Sequence, residues 1–393
     1  MRVRSDECSS NIEQVIKQFI ECMERKLDRA EQSTNERSVI INAHDYAQRL
    51  TLAMTFSVVY RKDELIDFEA ARDEWTWRFE QIGSRVLDPM VKLVVALPFL
   101  IPFATWVSQF IMFGRVILAP IAKFINEAVD LRIALEGKHI KSQQDLDGSG
   151  KESLPPNEAR SVQKPYKRRL IDGFIDALLA GKITKEQLVG NAYFLLLAGY
   201  DTSASAVTLI LWQLAQNTDI QIKLREAIIK EGIDAEYVVW CIMEGVRYHP
   251  PVPLNAGRVI SEDVTTNDGL LIPKGTYIMP STYSIHHDET IWPEHDKFIP
   301  ERWRNQSEFH PAAFMGFGLG PRNCVGSKLA IHEIKLILAA ILTRYKVDKC
   351  VGTPDAYNFS SPGMIYTIPD EHVQLRFTAL DTEQCFQPLS IRG

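Results

Sequence analysis

The sequence predicts a mainly α fold with small β-sheets, an α+β arrangement, from three observations. Apolar residues recur at helical spacing through most of residues 9–135. A run without proline over residues 184–217 is long enough for one helix of about 45 Å. Strand-like runs are short and lie mainly in residues 257–285, where Asp-Gly and Pro-Lys-Gly turns separate them. The sheets are therefore expected to be small and to lie to one side of the helices.

Three of the helices are predicted from local sequence signals. Thr184 and Gln187 have the spacing of a capping box, so we expect the central helix over 184–217 to begin there. Two further helices are predicted by their apolar faces, which are Ile16, Phe19, Ile20 and Met23 near the start of the chain, and Ile334, Ile337, Leu338, Ile341 and Leu342 near its end.

Two segments interrupt the helical pattern. Residues 93–113 contain no formal charge and are long enough to cross a bilayer, but Pro98 and Pro102 would each remove a helical hydrogen bond. A loop between two helices that makes peripheral contact with a membrane is expected there instead. Residues 141–167 are polar and rich in Gly, Ser and Pro, which indicates a flexible loop between helices or a linker between domains.

Composition excludes several classes of protein. A net charge of -6 argues against nucleic acid as a partner. The six cysteines show neither a C-x-x-C pair nor zinc-finger spacing, which indicates a reducing compartment. Hydrophobic residues make up 46% of the chain without a long polar gap, so one large core over 1–393 is compatible with the length.

The strongest chemical signal is a glycine-punctuated loop over residues 317–326 that places Cys324 just before a helix. Glycines allow a backbone to pass close to a flat cofactor. The helix N-terminus favours a thiolate, and Arg322 can pair with a carboxylate of that cofactor. The alternative is a buried structural cysteine beside a turn, which is the commoner situation for a lone cysteine. Five fixed positions in ten residues favour the cofactor site.

This loop, F-x-x-G-x-R-x-C-x-G, resembles the haem-binding loop of the cytochrome P450 family. Three more motifs follow the family's order: A-G-Y-D-T-S at 198–203, E-G-V-R at 244–247 and F-I-P-E-R-W at 298–303. Residues 97–103, 272–275 and 284–288 resemble the microsomal steroid- and drug-oxidising and thromboxane-synthase-like subgroup.

The resemblance implies haem b (iron protoporphyrin IX) held by Cys324 as the metal ligand. The other residues implied to bind this cofactor are Arg322, Phe317, Gly318, Gly326 and Arg258, the last through a haem propionate. Asp201 and Thr202 are the implied catalytic pair, which relays protons. The alternative for this pair is a helix kink with hydroxyl groups bonded back to the helix.

Glu244, Arg247 and Arg302 are implied to form a buried structural network, whereas an exposed ion pair is the alternative for the first two. The neighbouring His286 and His287 are expected to be structural rather than metal ligands, because no further ligands lie near them.

A P450-like function would be a monooxygenase that inserts one atom of dioxygen into a lipophilic small molecule, with electrons from NADPH through NADPH-cytochrome P450 reductase. Lys328, Lys335 and Arg344 are expected to form a basic face for that reductase. The resemblance implies that Val252, Leu254, Met364 and Ile365 lie in loops that form the substrate pocket, and their apolar side chains favour a lipophilic substrate. The implied location is the cytosolic face of the endoplasmic reticulum membrane.

Compared with a full microsomal member, the chain is expected to be a single, incomplete P450 domain without the anchor and first helices. Two alternatives therefore stand beside the monooxygenase: a haem-thiolate isomerase or dehydratase, and an inactive haem-binding remnant. The presence of Asp201 and Thr202 favours oxygen activation over isomerisation, because only the former needs a proton relay.

Overall fold

Helices dominate the computed structural model of the protein. It describes residues 5–60, 66–70, 73–85, 120–130, 133, 170–254, 257–356 and 373–380. Residues 120–130 are also helical. The bounded helices are α1 (Ser5–Thr34), α2 (Ala43–Tyr60), α3 (Glu74–Arg85), α4 (Leu170–Leu179), α5 (Lys185–Gln216), α6 (Thr218–Glu231), α7 (Glu236–Tyr248), α8 (Thr282–His286) and α9 (Ser327–Leu342).

The central helix α5 begins at the predicted capping box. The Thr184 hydroxyl accepts a hydrogen bond from the Gln187 backbone N–H at 3.2 Å, and the Gln187 side chain accepts one from the Thr184 N–H at 2.9 Å. The apolar run then continues without proline to Gln216, and the residues from Ser203 to Ala215 are buried. Among the described helices, α5 is long and apolar enough to cross a membrane, but most of its apolar stretch is buried inside the protein. It is therefore the core helix of this fold.

The buried faces of α2 and α9 pack against α5, and α1 packs against α2 and α9. Phe19 and Met23 of α1 are buried, and Ile16 and Ile20 pack against the same core cluster. That cluster runs from α1 to residues 373–377, and Trp292, Trp303 and Ala313 form a second, smaller cluster. The predicted apolar face of α9 is fully buried.

Three small antiparallel sheets complete the described fold. Strands β1 (Ser38–Asn42), β7 (Gln374–Ala379) and β6 (Tyr345–Lys349) form one sheet with β7 in the middle. The other two sheets pair β2 (Arg258–Val259) with β5 (Tyr277–Ile278) and β3 (Val264–Thr265) with β4 (Leu271–Ile272). These four strands confirm the prediction for residues 257–285.

Residues 38–42 form strand β1, whereas a mostly helical structure was predicted for residues 9–135. The run SVIIN is too short to show a period of its own, and its pairing partner β7 lies far away in the sequence. The expected membrane-contacting loop at 93–113, the flexible loop at 141–167 and the apolar positions Met364 and Ile365 lie outside the described residues.

Candidate functional site

The loop before α9 presents Cys324 to solvent. The Cys324 backbone N–H donates to the Phe317 carbonyl at 2.8 Å, which closes the loop. Gly318 and Gly320 have φ values of 70° and 72°, a left-handed conformation that favours glycine. The Cys324 side chain is a free thiol and is exposed, so the alternative of a buried structural cysteine is wrong.

Close packing against α7 holds the base of this loop. A Cβ atom added at Gly316 would lie 2.4 Å from Val246 Cγ1 and 2.6 Å from Phe314 Cζ, so only glycine allows this approach. Gly326 is the N-cap residue of α9, and a Cβ there would lie 3.9 Å from the Cys324 sulfur. The loop therefore places the thiol at the N-terminus of α9, as the sequence predicted.

Asp201 lies in the interface between α5 and α2 and is 5% exposed. The Gln48 side-chain amide donates a hydrogen bond to Asp201 Oδ1 at 3.1 Å. Burial raises the pKa of Asp201 to about 6, although the hydrogen bond from Gln48 opposes that rise. The carboxyl group is thus able to gain and lose a proton near neutral pH.

Thr202 is adjacent to Asp201 but is only half-buried. Its hydroxyl donates to the Ala198 carbonyl at 2.8 Å, one turn earlier in α5. This is the back-bonded arrangement that the helix-kink alternative expected, and it leaves the oxygen able to accept a hydrogen bond. A role in proton transfer would need the hydroxyl oxygen to accept a hydrogen bond from a second group.

Glu244 is the centre of a buried network that joins α7 to residues 299–303. Its carboxylate has no exposed surface and forms an ion pair with Arg247 at 2.9 Å and with Arg302 at 3.0 Å. The Trp303 indole N–H donates to the same carboxylate at 3.0 Å, and the Ile299 backbone N–H donates at 2.9 Å. The predicted trio is therefore brought together, and an exposed ion pair is excluded.

The network reaches the thiol loop through His286. The His286 ring contacts the Arg247 carbonyl through Nδ1 at 3.1 Å and accepts from the Met315 N–H through Nε2 at 2.9 Å, and it stacks on Phe314. Burial lowers the pKa of His286 to about 3, so its ring is neutral. His286 is thus structural, as expected, and it links α7 to the base of the Cys324 loop.

The expected basic face is only partly present. Lys328 is exposed, but the Lys335 side chain is 13% exposed and forms a 2.9 Å ion pair with Asp234. Arg344 is partly buried and donates to the Ala340 carbonyl. Lys335 and Arg344 are therefore held by contacts within the protein and add less free charge to the expected basic face than Lys328 does.

The remaining predicted cofactor residues lie at the surface of the described structure. Arg322 and Arg258 are exposed, and Arg258 Nη1 donates to the Gly257 carbonyl at 2.9 Å. Phe317, Gly318 and Gly326 are half-buried. Helix α9, which follows Cys324, packs against α5, which carries Asp201 and Thr202. The loop that carries Cys324 thus leads into a helix that contacts the helix of Asp201 and Thr202.

A family model described as Cytochrome P450 matches residues 1–375. The chain belongs to the cytochrome P450 family. Its relatives include Cytochrome P450 3A31 of Mesocricetus auratus, which is 27% identical over 308 residues, covering 75% of this chain and 56% of the relative. Cytochrome P450 4F2 of Homo sapiens is 32% identical over 207 residues, covering 47% of this chain and 39% of the relative. The chain spans about half the length of the curated relatives it matches.

The residues around Cys324 fit the haem of a P450. In the part of the chain that the structure describes, no group of three or more His, Cys, Asp or Glu side chains could chelate a metal ion. A metal complex that needs one protein ligand is the kind that a single exposed thiol can hold. Open space around Gly320 and exposed apolar side chains at Leu319 and Val325 suit a flat apolar ring beside the sulfur.

Two partners of the P450 motifs were missed from the sequence. Trp303 is the last residue of F-I-P-E-R-W, but the motif does not predict its hydrogen bond to Glu244. Gln48 lies 153 residues before Asp201, and its position on the buried face of α2 was the available signal. A polar residue on an apolar helix face indicates a buried partner, but it does not identify that partner.

Proposed function

We propose that this chain carries the haem-thiolate centre of a monooxygenase that inserts one oxygen atom into a lipophilic small molecule. The observation that carries the proposal is the exposed Cys324 thiol, presented by a glycine-dependent loop in a chain of the P450 family. When bound, haem b would supply the oxygen chemistry, with electrons that come from NADPH through a reductase.

Cys324 would be the protein ligand of the iron, with its sulfur as a thiolate. Phe317, Gly318 and Gly326 would form the surface against the ring, and the exposed Arg322 and Arg258 would pair with its carboxylates. The Glu244, Arg247 and Arg302 network would hold the loop in place through His286. None of these three network residues is expected to touch the substrate.

Asp201 and Thr202 would handle the protons that the oxygen chemistry needs. Asp201 is suited to this because its pKa is raised to about 6, so it exchanges a proton near neutral pH. The Thr202 hydroxyl would accept a hydrogen bond while it donates to Ala198. This pair favours oxygen activation over an isomerase or dehydratase, whose chemistry does not need such a relay.

Reductase docking would use the surface around the thiol loop. Lys328 is exposed there, whereas the charge of Lys335 is offset by Asp234. Exposed cations steer an acidic partner, so raising the ionic strength should slow reduction of the haem. Location at the cytosolic face of the endoplasmic reticulum is part of the same proposal.

The test is the carbon monoxide difference spectrum of the reduced protein, expressed with haem supplied. The wild type and Cys350→Ser should both give the red-shifted Soret band of a thiolate-bound iron, and Cys324→Ser should lose it. Cys350 is the matched control, because it is also a free and partly exposed cysteine. A wild type without this band would refute the monooxygenase and favour an inactive remnant. A wild type that shows the band but rearranges lipophilic substrates without consuming dioxygen would favour the isomerase.

A further inference from the structure

We propose that Gln48 on α2 is a positioning residue that holds the carboxyl group of Asp201 and controls when that group carries its proton. The inference deepens the proposed function and rests on it, because the proton of Asp201 matters for catalysis only in the monooxygenase. It names a residue on a second helix that none of the P450 motifs contains.

The contact is buried and directional. Gln48 and Asp201 are each 5% exposed, and the Gln48 Nε2 atom lies 3.1 Å from Asp201 Oδ1. In the described ranges, this amide is the side chain that donates to the Asp201 carboxyl group. An amide suits both protonation states, because its NH₂ donates to a carboxylate and its oxygen can accept from a protonated carboxyl.

Neighbouring contacts fix α2 against α5, so Gln48 has little freedom to move. The His44 ring lies 3.3 Å from the Thr208 hydroxyl, and the Thr51 hydroxyl donates to the Tyr200 carbonyl at 2.9 Å. A Cβ at Gly199 would lie 3.3 Å from the Thr55 hydroxyl oxygen, so the two helices also touch closely there. The four α2 residues His44, Gln48, Thr51 and Thr55 share one helix face, since they are spaced four, three and four apart.

No neighbouring charged group accounts for the shift in the pKa of Asp201. Arg49 of α2 pairs with Asp45 and donates to the carbonyls of Asp67 and Ala70. The shift of Asp201 arises first from burial and then from Gln48, and no charged group is among its causes. The other titratable groups on described elements packed against α5 or α2 include Glu24 and Lys26 of α1, Tyr46 of α2, Glu74 and Arg78 of α3, Asp172 and Asp176 of α4, Arg225 of α6, Glu244 and Arg247 of α7, Glu333 of α9, and Lys346 and Asp348 of β6. Burial therefore raises the proton affinity of Asp201, and the neutral amide of Gln48 opposes that rise.

The first experiment follows the titration of Asp201 itself. Aspartate is labelled with ¹³C at the carboxyl carbon, and the Asp201 signal is assigned from its loss in Asp201→Asn. Spectra are recorded in the diamagnetic, ferrous, carbon monoxide-bound protein, or in the chain as purified if it carries no haem. Gln48→Met keeps the length of the side chain but has no N–H donor. Thr51→Val is the matched control, since it removes a neighbouring hydrogen bond between the same helices.

Gln48→Met should raise the titration midpoint of Asp201 by about one pH unit, because the carboxylate loses its donor. Thr51→Val should leave the midpoint within about 0.3 units of the wild type, on the same scale. If Gln48→Met does not fold, Gln48→Asn, which shortens the side chain, should give the same upward shift. An unchanged midpoint in the Gln48 variants, or an equal shift in Thr51→Val, would overturn the inference.

The second experiment tests whether the contact between Gln48 and Asp201 affects catalysis. In an active protein, the pH profile of turnover should move upward in Gln48→Met by the same amount as the Asp201 midpoint, and that of Thr51→Val should not move. A profile that stays in place while the midpoint moves would overturn the catalytic part of the inference. A protein that has no oxygenase activity but shows the Asp201 shift would refute the proposed function and leave the holding role of Gln48 supported.

Discussion

Replacing Glu244 with glutamine should destabilise the protein more than any exposed ion pair could. The carboxylate accepts five hydrogen bonds: two from Arg247, and one each from Arg302, Trp303 and the Ile299 backbone. The glutamine side chain would be neutral and would bring an NH₂ group against these donors, while Arg247 would stay charged with no exposed surface. Removing one partner of a buried ion pair costs about 3–5 kcal/mol.

The control is Glu294→Gln. Glu294 forms an ion pair with Lys297, but both side chains are more than half exposed, so the expected loss is below about 1 kcal/mol. Unfolding in urea, followed by circular dichroism, measures both free energies of unfolding. Because the network reaches the Cys324 loop through His286 and Met315, Glu244→Gln should also lower the haem content of the purified protein. A loss of less than about 1 kcal/mol for Glu244→Gln would refute this account of the network.

Three further changes test separate parts of the structure. Asp201→Asn should stabilise the protein at pH 7.5 by up to about 3 kcal/mol, because the asparagine does not have to be buried as a charge. Burial raises the pKa of Asp201 from its usual 3.8 to about 6. The protonated Asp201 therefore contributes its full stability below about pH 4, and this contribution is lost as the pH rises through 6. Thermal unfolding at pH 4.5 and 7.5 checks this, and a gain at pH 4.5 as large as at pH 7.5 would contradict it. Gly245→Ala should cost about 1–3 kcal/mol, because the new Cβ would lie 2.3 Å from Ile210 Cγ1. The same change should cost less when Ile210 is already alanine, as urea unfolding of the two single variants and the double variant would show. Thr184→Ala should cost about 1 kcal/mol through loss of the capping box, whereas Thr184→Ser should cost little; equal losses in urea unfolding would argue against the cap.

Local sequence signals were sufficient for the helices that frame the site. The capping box at Thr184 and the apolar face of α9 depend on residues within a few turns of each other, so a periodic pattern reports them. The glycines at 318 and 320 likewise marked the turns that expose Cys324. These features are local, and the sequence contains them in full.

Contacts between distant segments were not predictable in the same way. The pairing of Lys335 with Asp234 joins residues 101 positions apart, and the sequence predicted Lys335 as part of a basic face without showing that partner. The contact of Gln48 with Asp201 and the indole bond of Trp303 to Glu244 are of the same kind. Residue type shows that a buried polar group needs a partner, but only the three-dimensional fold selects that partner.

The sheet that contains β7 has a consequence for how the protein is made. Ser38 of β1 pairs with Thr378 of β7, so their contact closes a loop of more than 300 residues. A ribosome that adds about 5–20 residues each second needs well over ten seconds to deliver β7 after β1 has emerged. Throughout that time β1 has no β7 to pair with, and Ile40 and its neighbours present an open strand edge. Chaperone binding to the nascent chain is expected to be strongest in this interval and to end when β7 is inserted between β1 and β6.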